Sequence, residues 1–257
     1  MAQTAKDRGQ AAGPRSARLL APAQTAKDRG QAAGPHSARL SSAHLVWDWN
    51  GTLLDDLNLV VAATNASLAS VGGPSITSEE HRRDFRRPIS AYYAFVLGRT
   101  IDPAEFVRLD VVFHDAYRAG MPTCGLTHDA LAAMDAWAGT QSLLSMLHHH
   151  DLLPAVTTRG LTHRMARIDG LREAIGGGSK APHLRAHLDA LGLDGPECVL
   201  IGDSVDDAHA ALEVGARVVL YDGGFTHGDL LRATGQPTMS SLLDAVRYAT
   251  AELDPTP

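Results

Sequence analysis

Four stretches of the chain are almost continuously apolar and end at a polar side chain: "HLVWD", "LLPAVTT", "CVLIGD" and "ARVVLY". Such runs predict short strands buried on both faces. Between and after the later runs, "APHLRAHLDALGL", "VDDAHAALEVG" and "SLLDAVRYATAEL" carry apolar side chains at helical spacing. Strand and helix therefore alternate, as they do when helices cover both faces of a parallel sheet. Between the first two runs the pattern is helical throughout. "LNLVVAATNASLASV" is a long amphipathic stretch stopped by Gly72, Gly73 and Pro74, and "ITSEEHRRDF", "ISAYYAFVLG", "DPAEFVRLDVVFHDAYRAG" and "THDALAAMDAWA" follow, each with a capping residue or a terminal glycine. A helical block of this length is too long for one crossover. The predicted organisation is an α/β core from residues 44–56 and 151–257, with residues 57–150 inserted as a helical cap.

The first 43 residues belong to neither part. "AQTAKDRGQAAGPRSARL" from Ala2 recurs from Ala23 with a single change, Arg15 against His36. The segment has too few large apolar side chains to offset the entropy of ordering, so it is expected to be a disordered, basic extension. Two copies do not make a repeat architecture. It holds seven basic and two acidic side chains, about +5, which leaves about −11 on the remainder of a chain whose formal charge is −6. An acidic body argues against a nucleic-acid surface. No apolar run approaches the ~18 residues that span a bilayer, and no signal-like apolar segment follows the N-terminal charges. The two cysteines, Cys124 and Cys198, are far apart and in no metal-ligand spacing, which fits a reducing, cytoplasmic setting.

In parallel α/β sheets a ligand sits beyond the carboxyl ends of the strands. Asp48, Thr157 and Asp203 all fall at predicted strand ends, so three polar side chains are expected to converge on one edge. Lys180 adds a cation. The chain has three lysines, and the other two, Lys6 and Lys27, lie in the duplicated segment. The body otherwise uses arginine, and a compact ammonium suits a point contact that a guanidinium fork does not.

In order and spacing, "DWNGT" at residues 48–52, "AVTT" at 155–158, "SKA" around Lys180 and "IGDSVDD" at 201–207 resemble the four motifs of the haloacid dehalogenase superfamily. The resemblance spans about residues 44–221, and the helical block lies where the branch that includes phosphoglycolate phosphatases carries its cap. The resemblance implies a Rossmann-like α/β core and a phosphatase acting on a small phosphorylated metabolite. Asp48 would be the nucleophile, giving an aspartyl-phosphate. Gly51 and Thr52 would form a turn whose backbone donors cradle phosphate. Thr157, with Thr158 chemically able beside it, would bind a phosphoryl oxygen, and Lys180 would contact both that oxygen and a carboxylate. Asp203 and Asp207, with Asp48 and the backbone carbonyl of Asn50, would hold Mg²⁺. Asp203 and Asp207 also suit a helix N-terminus, and Asp206 is expected outside the ligand set. His148, His149 and His150 are expected at a solvated helix end, since consecutive helical side chains diverge. Arg82, Arg83, Arg86 and Arg87 are expected on a solvated face, and Trp47 and Trp49 beside the pocket.

Asn50 departs from the pattern. The superfamily's phosphatases place a second aspartate there, which protonates the leaving group and then activates water. An amide does neither, and general acid–base catalysis is worth roughly 10²–10⁴-fold. Two outcomes follow: a phosphatase that is slow or favours good leaving groups such as acyl phosphates, or a protein that binds phosphate without turning it over. Residues 56–150 contain no lysine, which argues against the Schiff-base carbon–phosphorus hydrolases of the superfamily, and the intact "GDSVDD" argues against its dehalogenases. Asn50 precedes Gly51, a pair prone to deamidation, which would place an aspartate at that position.

Overall fold

A computed structural model describes residues 43–172 and 178–253. The duplicated N-terminal segment lies outside the described residues. Six parallel strands form one sheet: β1 (His44–Trp47), β2 (Thr140–His148), β3 (Ile168–Leu171), β4 (Cys198–Gly202), β5 (Arg217–Tyr221) and β6 (Thr238–Met239), in the order β3-β2-β1-β4-β5-β6. The described helices are α1 (Leu57–Ala69), α2 (Ser78–Asp84), α3 (Ile89–Leu97), α4 (Pro103–Gly120), α5 (Ala130–Ala136), α6 (His149–Thr158), α7 (Ala181–Leu191), α8 (Val205–Val214), α9 (Gly228–Arg232) and α10 (Leu242–Leu253). None is long and apolar enough to cross a membrane.

The strands bury both faces, as their continuous apolar pattern requires. Leu45, Trp47, Leu143, Val199 and Ile201 face a core completed by α5, α6 and α10. Val46, Leu144, Leu200 and Val218 face the opposite way, onto α7 and α8. Residue-by-residue alternation along β1 thus feeds two cores. The inserted helices have a third, smaller core around Leu68, Tyr93 and Leu109.

Two expectations are corrected. The strand beside β1 is β2, "TQSLLSMLH", not "LLPAVTT", which folds as α6 despite its internal Pro154. In α6, Leu152, Ala155 and Val156 are buried together, which is helical spacing. In β2 polar side chains break up the apolar run, and the buried ones, Ser142 and Ser145, are hydrogen-bonded. The insertion is also shorter than 57–150. β2 belongs to the sheet, and Ala130, Ala133 and Met134 of α5 pack in the core cluster with Leu242, Ala245 and Val246 of α10. The short edge strands β3 and β6 escaped the pattern altogether.

A buried polar chain crosses from β1 to β3. His44 reaches Thr140 Oγ1 through Nδ1 and Ser142 Oγ through Nε2, each at 2.7 Å; His187 Nε2 meets the same Ser142 Oγ at 2.7 Å, and its Nδ1 meets Asp169 Oδ2 at 2.7 Å. With Asp169 only accepting, the direction runs one way. His187 donates from Nδ1 and accepts the Ser142 proton, Ser142 accepts from His44 Nε2, and Thr140 donates to His44 Nδ1. Both rings are neutral in this arrangement. Burial, helped by His187, lowers the pKa of His44 from its ordinary 6.5 to about 4.

As pH falls through that window the unfolded chain takes up a proton at position 44 that the folded chain refuses. The stability held by neutral His44 is therefore present above pH 6.5 and is lost as pH falls toward 4. The loss reaches about 2 kcal/mol at pH 5. His44→Phe removes this proton linkage. The gap in urea-unfolding free energy between wild type and variant is expected to shrink by that amount from pH 7 to pH 5; a gap independent of pH would refute the assignment.

Candidate active site

β1 and β4 are neighbours, so their carboxyl ends deliver Asp48 and Asp203 side by side, and the first turn of α8 adds Asp207. All three carboxylates are buried, and they can each present an oxygen within 4.8 Å of the others. Lys180, at the N-cap of α7 and also buried, donates to Asp48 Oδ1 and to Asp207 Oδ1, each at 2.5 Å. The other oxygen of Asp207 accepts from the backbone N–H of Ser204 at 3.1 Å and from its hydroxyl at 2.5 Å, while Ser204 Oγ accepts from Asp207 N–H. This capping box fixes the start of α8 and the carboxylate together. Asp206 accepts from the Lys180 backbone N–H at 3.1 Å and so braces the lysine from outside the cluster.

Three acids and one ammonium leave the cluster short of positive charge. Burial raises the Asp48 carboxyl to about 6, against the pull of Lys180. Burial raises Asp203 well above the usual carboxylate range, and repulsion from Asp48 and Asp207 adds to it. Burial alone would lower Lys180, but Asp207 and Asp48 hold it above its ordinary value. Hard oxygen donors with an uncompensated negative charge fit a divalent cation, and Asp48, Asp203 and Asp207 are the residues that would hold it.

The turn after β1 differs from the expected phosphate cradle. Gly51 has φ +72°, and a Cβ there would collide with the Asp203 carboxylate and lie 2.9 Å from the Phe225 ring, so the close approach demands glycine. Its N–H donates to Asp56 Oδ1 at 2.8 Å, and the Thr52 N–H bonds Trp49 O at 3.2 Å. These donors serve the turn itself. The buried Thr52 hydroxyl donates to Asp203 Oδ1 at 3.0 Å, so Thr52 positions a carboxylate. Thr157 and Thr158 lie exposed on α6, their hydroxyls donating to Leu153 O (2.7 Å) and Pro154 O (3.0 Å). Neither is at the strand end, because that strand is β2. The hydroxyl that the sheet does bring to the site is Ser145, near the end of β2, 3.2 Å from Asn50 Oδ1. The short run "SLLS" was its only signal.

Asn50 is built into the structure. Its Nδ2 donates to Asp56 Oδ2 and to the Tyr117 hydroxyl, both at 2.7 Å, and Tyr117 donates to the same Asp56 oxygen at 2.6 Å. Asp56 is buried, which raises its carboxyl to about 6 even though Tyr117, Asn50 and Gly51 stabilise the anion. A carboxylate therefore lies next to position 50, supplied from six residues later in the chain.

Of the other candidates, Arg82 donates to the carbonyls of Asp222 and Thr226, and Arg87 pairs with Asp206 at 3.5 Å. Both tie the insertion to the core, contrary to a purely solvated role. Arg83 remains exposed, beside Glu79. Trp47 and Trp49 are fully buried in the core and do not line the cavity over Asp48. His148 ends β2, and His149 and His150 open α6; among the described residues the histidine run joins no metal-ligand cluster.

A family model described as HAD-hydrolase-like matches residues 177–246. The chain is 28% identical over 222 residues to the phosphoglycolate phosphatase of Caulobacter vibrioides, a match covering 80% of this chain and 90% of that protein. It is 25% identical over 226 residues to the phosphoglycolate phosphatase of Aliivibrio fischeri, covering 81% and 95%. The fold superposes on a haloacid dehalogenase-like hydrolase from Streptococcus pneumoniae with TM-score 0.71 at 17% identity, covering 81% of this chain and 99% of that one.

The Asp56 contact makes a specific prediction. Asn50→Asp puts a second carboxylate where the amide now donates, and is expected to cost about 1–3 kcal/mol. In Asn50→Asp/Asp56→Asn the amide and the acid exchange places, and most of that stability is expected back. Chemical unfolding of wild type, both single variants and the double variant checks it; additive effects would show that the two side chains are uncoupled.

Proposed function

We propose that this chain, a member of the haloacid dehalogenase superfamily, is a Mg²⁺-dependent phosphomonoester hydrolase that works through a phosphorylated Asp48. The observation that carries this reading is the buried Asp48–Lys180–Asp207 cluster with Asp203 beside it. An Asp48 oxygen attacks phosphorus and the ester P–O bond breaks, giving aspartyl-phosphate and the alcohol's oxyanion. Water then attacks the same phosphorus, releasing inorganic phosphate and restoring the carboxylate. Mg²⁺, when bound by Asp48, Asp203, Asp207 and the Asn50 backbone carbonyl, neutralises phosphate charge so that two anions can approach. Lys180 holds Asp48 in place and meets a phosphoryl oxygen. Ser145 takes the phosphoryl-oxygen contact that the sequence reading assigned to Thr157.

Asn50 supplies no proton, so the departing oxyanion takes one from water, and esters with good leaving groups turn over fastest. The engagement of Asn50 with Asp56 and Tyr117 favours a second reading, a phosphate binder of little turnover. A beryllofluoride adduct on Asp48 without phosphate release would support the binder.

In a phosphate-release assay over a broad panel that includes acyl phosphates, activity is expected to require Mg²⁺. Asp48→Asn is expected to lower it by roughly 10³-fold or more, and Lys180→Met by about 10²–10³-fold. Absence of metal-dependent release across the panel would refute the hydrolase reading.

A further inference from the structure

The cavity over Asp48 is far larger than its charged floor. Its volume is about 760 Å³, the size that encloses a drug-sized ligand. Asp48, Lys180, Asp203 and Asp207 occupy one end, and four rings line another part: His81 and Phe85 at α2, Tyr92 on α3, and Phe225 from the loop after β5. The rings form one connected group. His81 stacks on Phe85 at 4.9 Å, Tyr92 meets both edge-on at 5.4 Å, and Phe225 meets His81 edge-on at 5.9 Å and Phe85 at 6.4 Å. The group begins at the phosphate end, because the Phe225 N–H donates to Asp203 Oδ2 at 2.5 Å. Phe85 and Phe225 each keep part of their surface open.

Charge in this wall is already matched. Arg86 lies over the Phe95 ring at 4.0 Å with Asp84 at 3.6 Å, and Arg87 pairs with Asp206 at 3.5 Å. Burial holds His81 neutral, with a pKa of about 4. Its Nδ1 meets the Tyr92 hydroxyl at 2.9 Å, while its Nε2 is buried without a partner among the described residues. A leaving group bearing a carboxylate would find both arginines engaged and Asp110 in the same lining. An uncharged ring would find open aromatic faces, for which edge-on or offset stacking is favourable.

We propose that the alcohol part of the substrate is an uncharged aromatic group, packed against the open surfaces of Phe85 and Phe225 while its phosphate reaches Asp48. This rests on the phosphomonoester reading and goes against a small carboxylate-bearing substrate such as phosphoglycolate. It also suits Asn50, since an aryl oxyanion departs with less need of a proton than an alkyl one.

Equilibrium binding to the wild-type protein with Mg²⁺ separates ring recognition from turnover, because the probes benzylphosphonate, propylphosphonate and phosphonoacetate carry no ester bond to hydrolyse. Benzylphosphonate is expected to bind at least tenfold more tightly than either of the others. Phe85→Ala, and Phe225→Leu as a milder change that keeps apolar volume, are expected to cut that preference severalfold, with folding checked by circular dichroism. Phosphonoacetate binding as tightly as benzylphosphonate, or a preference unaltered in both variants, would overturn the inference. A wild type that retains the binding preference and hydrolyses no phosphate ester supports the inference and overturns the hydrolase reading. A wild type that hydrolyses esters without the preference does the reverse.

Discussion

The ammonium of Lys180, held between Asp48 and Asp207 with almost no access to water, is the contact on which the site depends. Three carboxylates in so small a buried volume repel one another strongly, and removing the Lys180 ammonium would leave charge buried without that compensation. Several features of the fold serve this contact. Sheet order brings β4 beside β1, the capping box at Ser204 aims Asp207, and the start of α7 places the lysine. The remaining deficit of positive charge suits a divalent cation and an anionic substrate together.

A fourth buried carboxylate, Asp56, organises the turn that follows Asp48. It accepts from Gly51, Asn50 and Tyr117, and so joins the turn after Asp48 to α4 of the insertion. This changes the meaning of the amide at position 50. Seen along the chain, Asn50 is an acid lost; seen in the fold, it is the donor that the Asp56 carboxylate needs. The amide itself cannot ionise, and Asp56 is committed to the turn.

The insertion is fastened to the core by Arg82, Arg87 and the Tyr117–Asp56 contact, so its aromatic wall has a defined position in the cavity that Asp48 also lines. The strand ends carry the charged groups of that cavity, and the inserted helices carry most of its aromatic surface.

Asp48, Lys180, Asp203 and Asp207 were legible along the chain because each lies in a short motif whose local geometry, strand end or helix start, follows from neighbouring residues. The alternation of strands and helices was legible for the same reason: burial on both faces leaves a continuous apolar run. The second strand was misplaced because β2 mixes serine, glutamine and histidine with leucine, and only partners on other elements, such as His44 for Ser142 and Trp47 for Gln141, make those polar groups tolerable in a core. Thr157 goes with "LLPAVTT" onto α6, and the hydroxyl near the strand end is that of Ser145. Asp56, Tyr117 and the aromatic wall could not be read from sequence at all. Their roles depend on side-chain contacts such as Tyr117 with Asp56, 61 positions apart, and His81 with Phe225, and no strand, helix or motif pattern encodes such a pairing. The chain's own order of residues thus specifies which chemical groups are available and where elements begin, since those depend on near neighbours. Which groups meet, such as Asn50 with Tyr117 and Ser145, is decided by packing between distant segments.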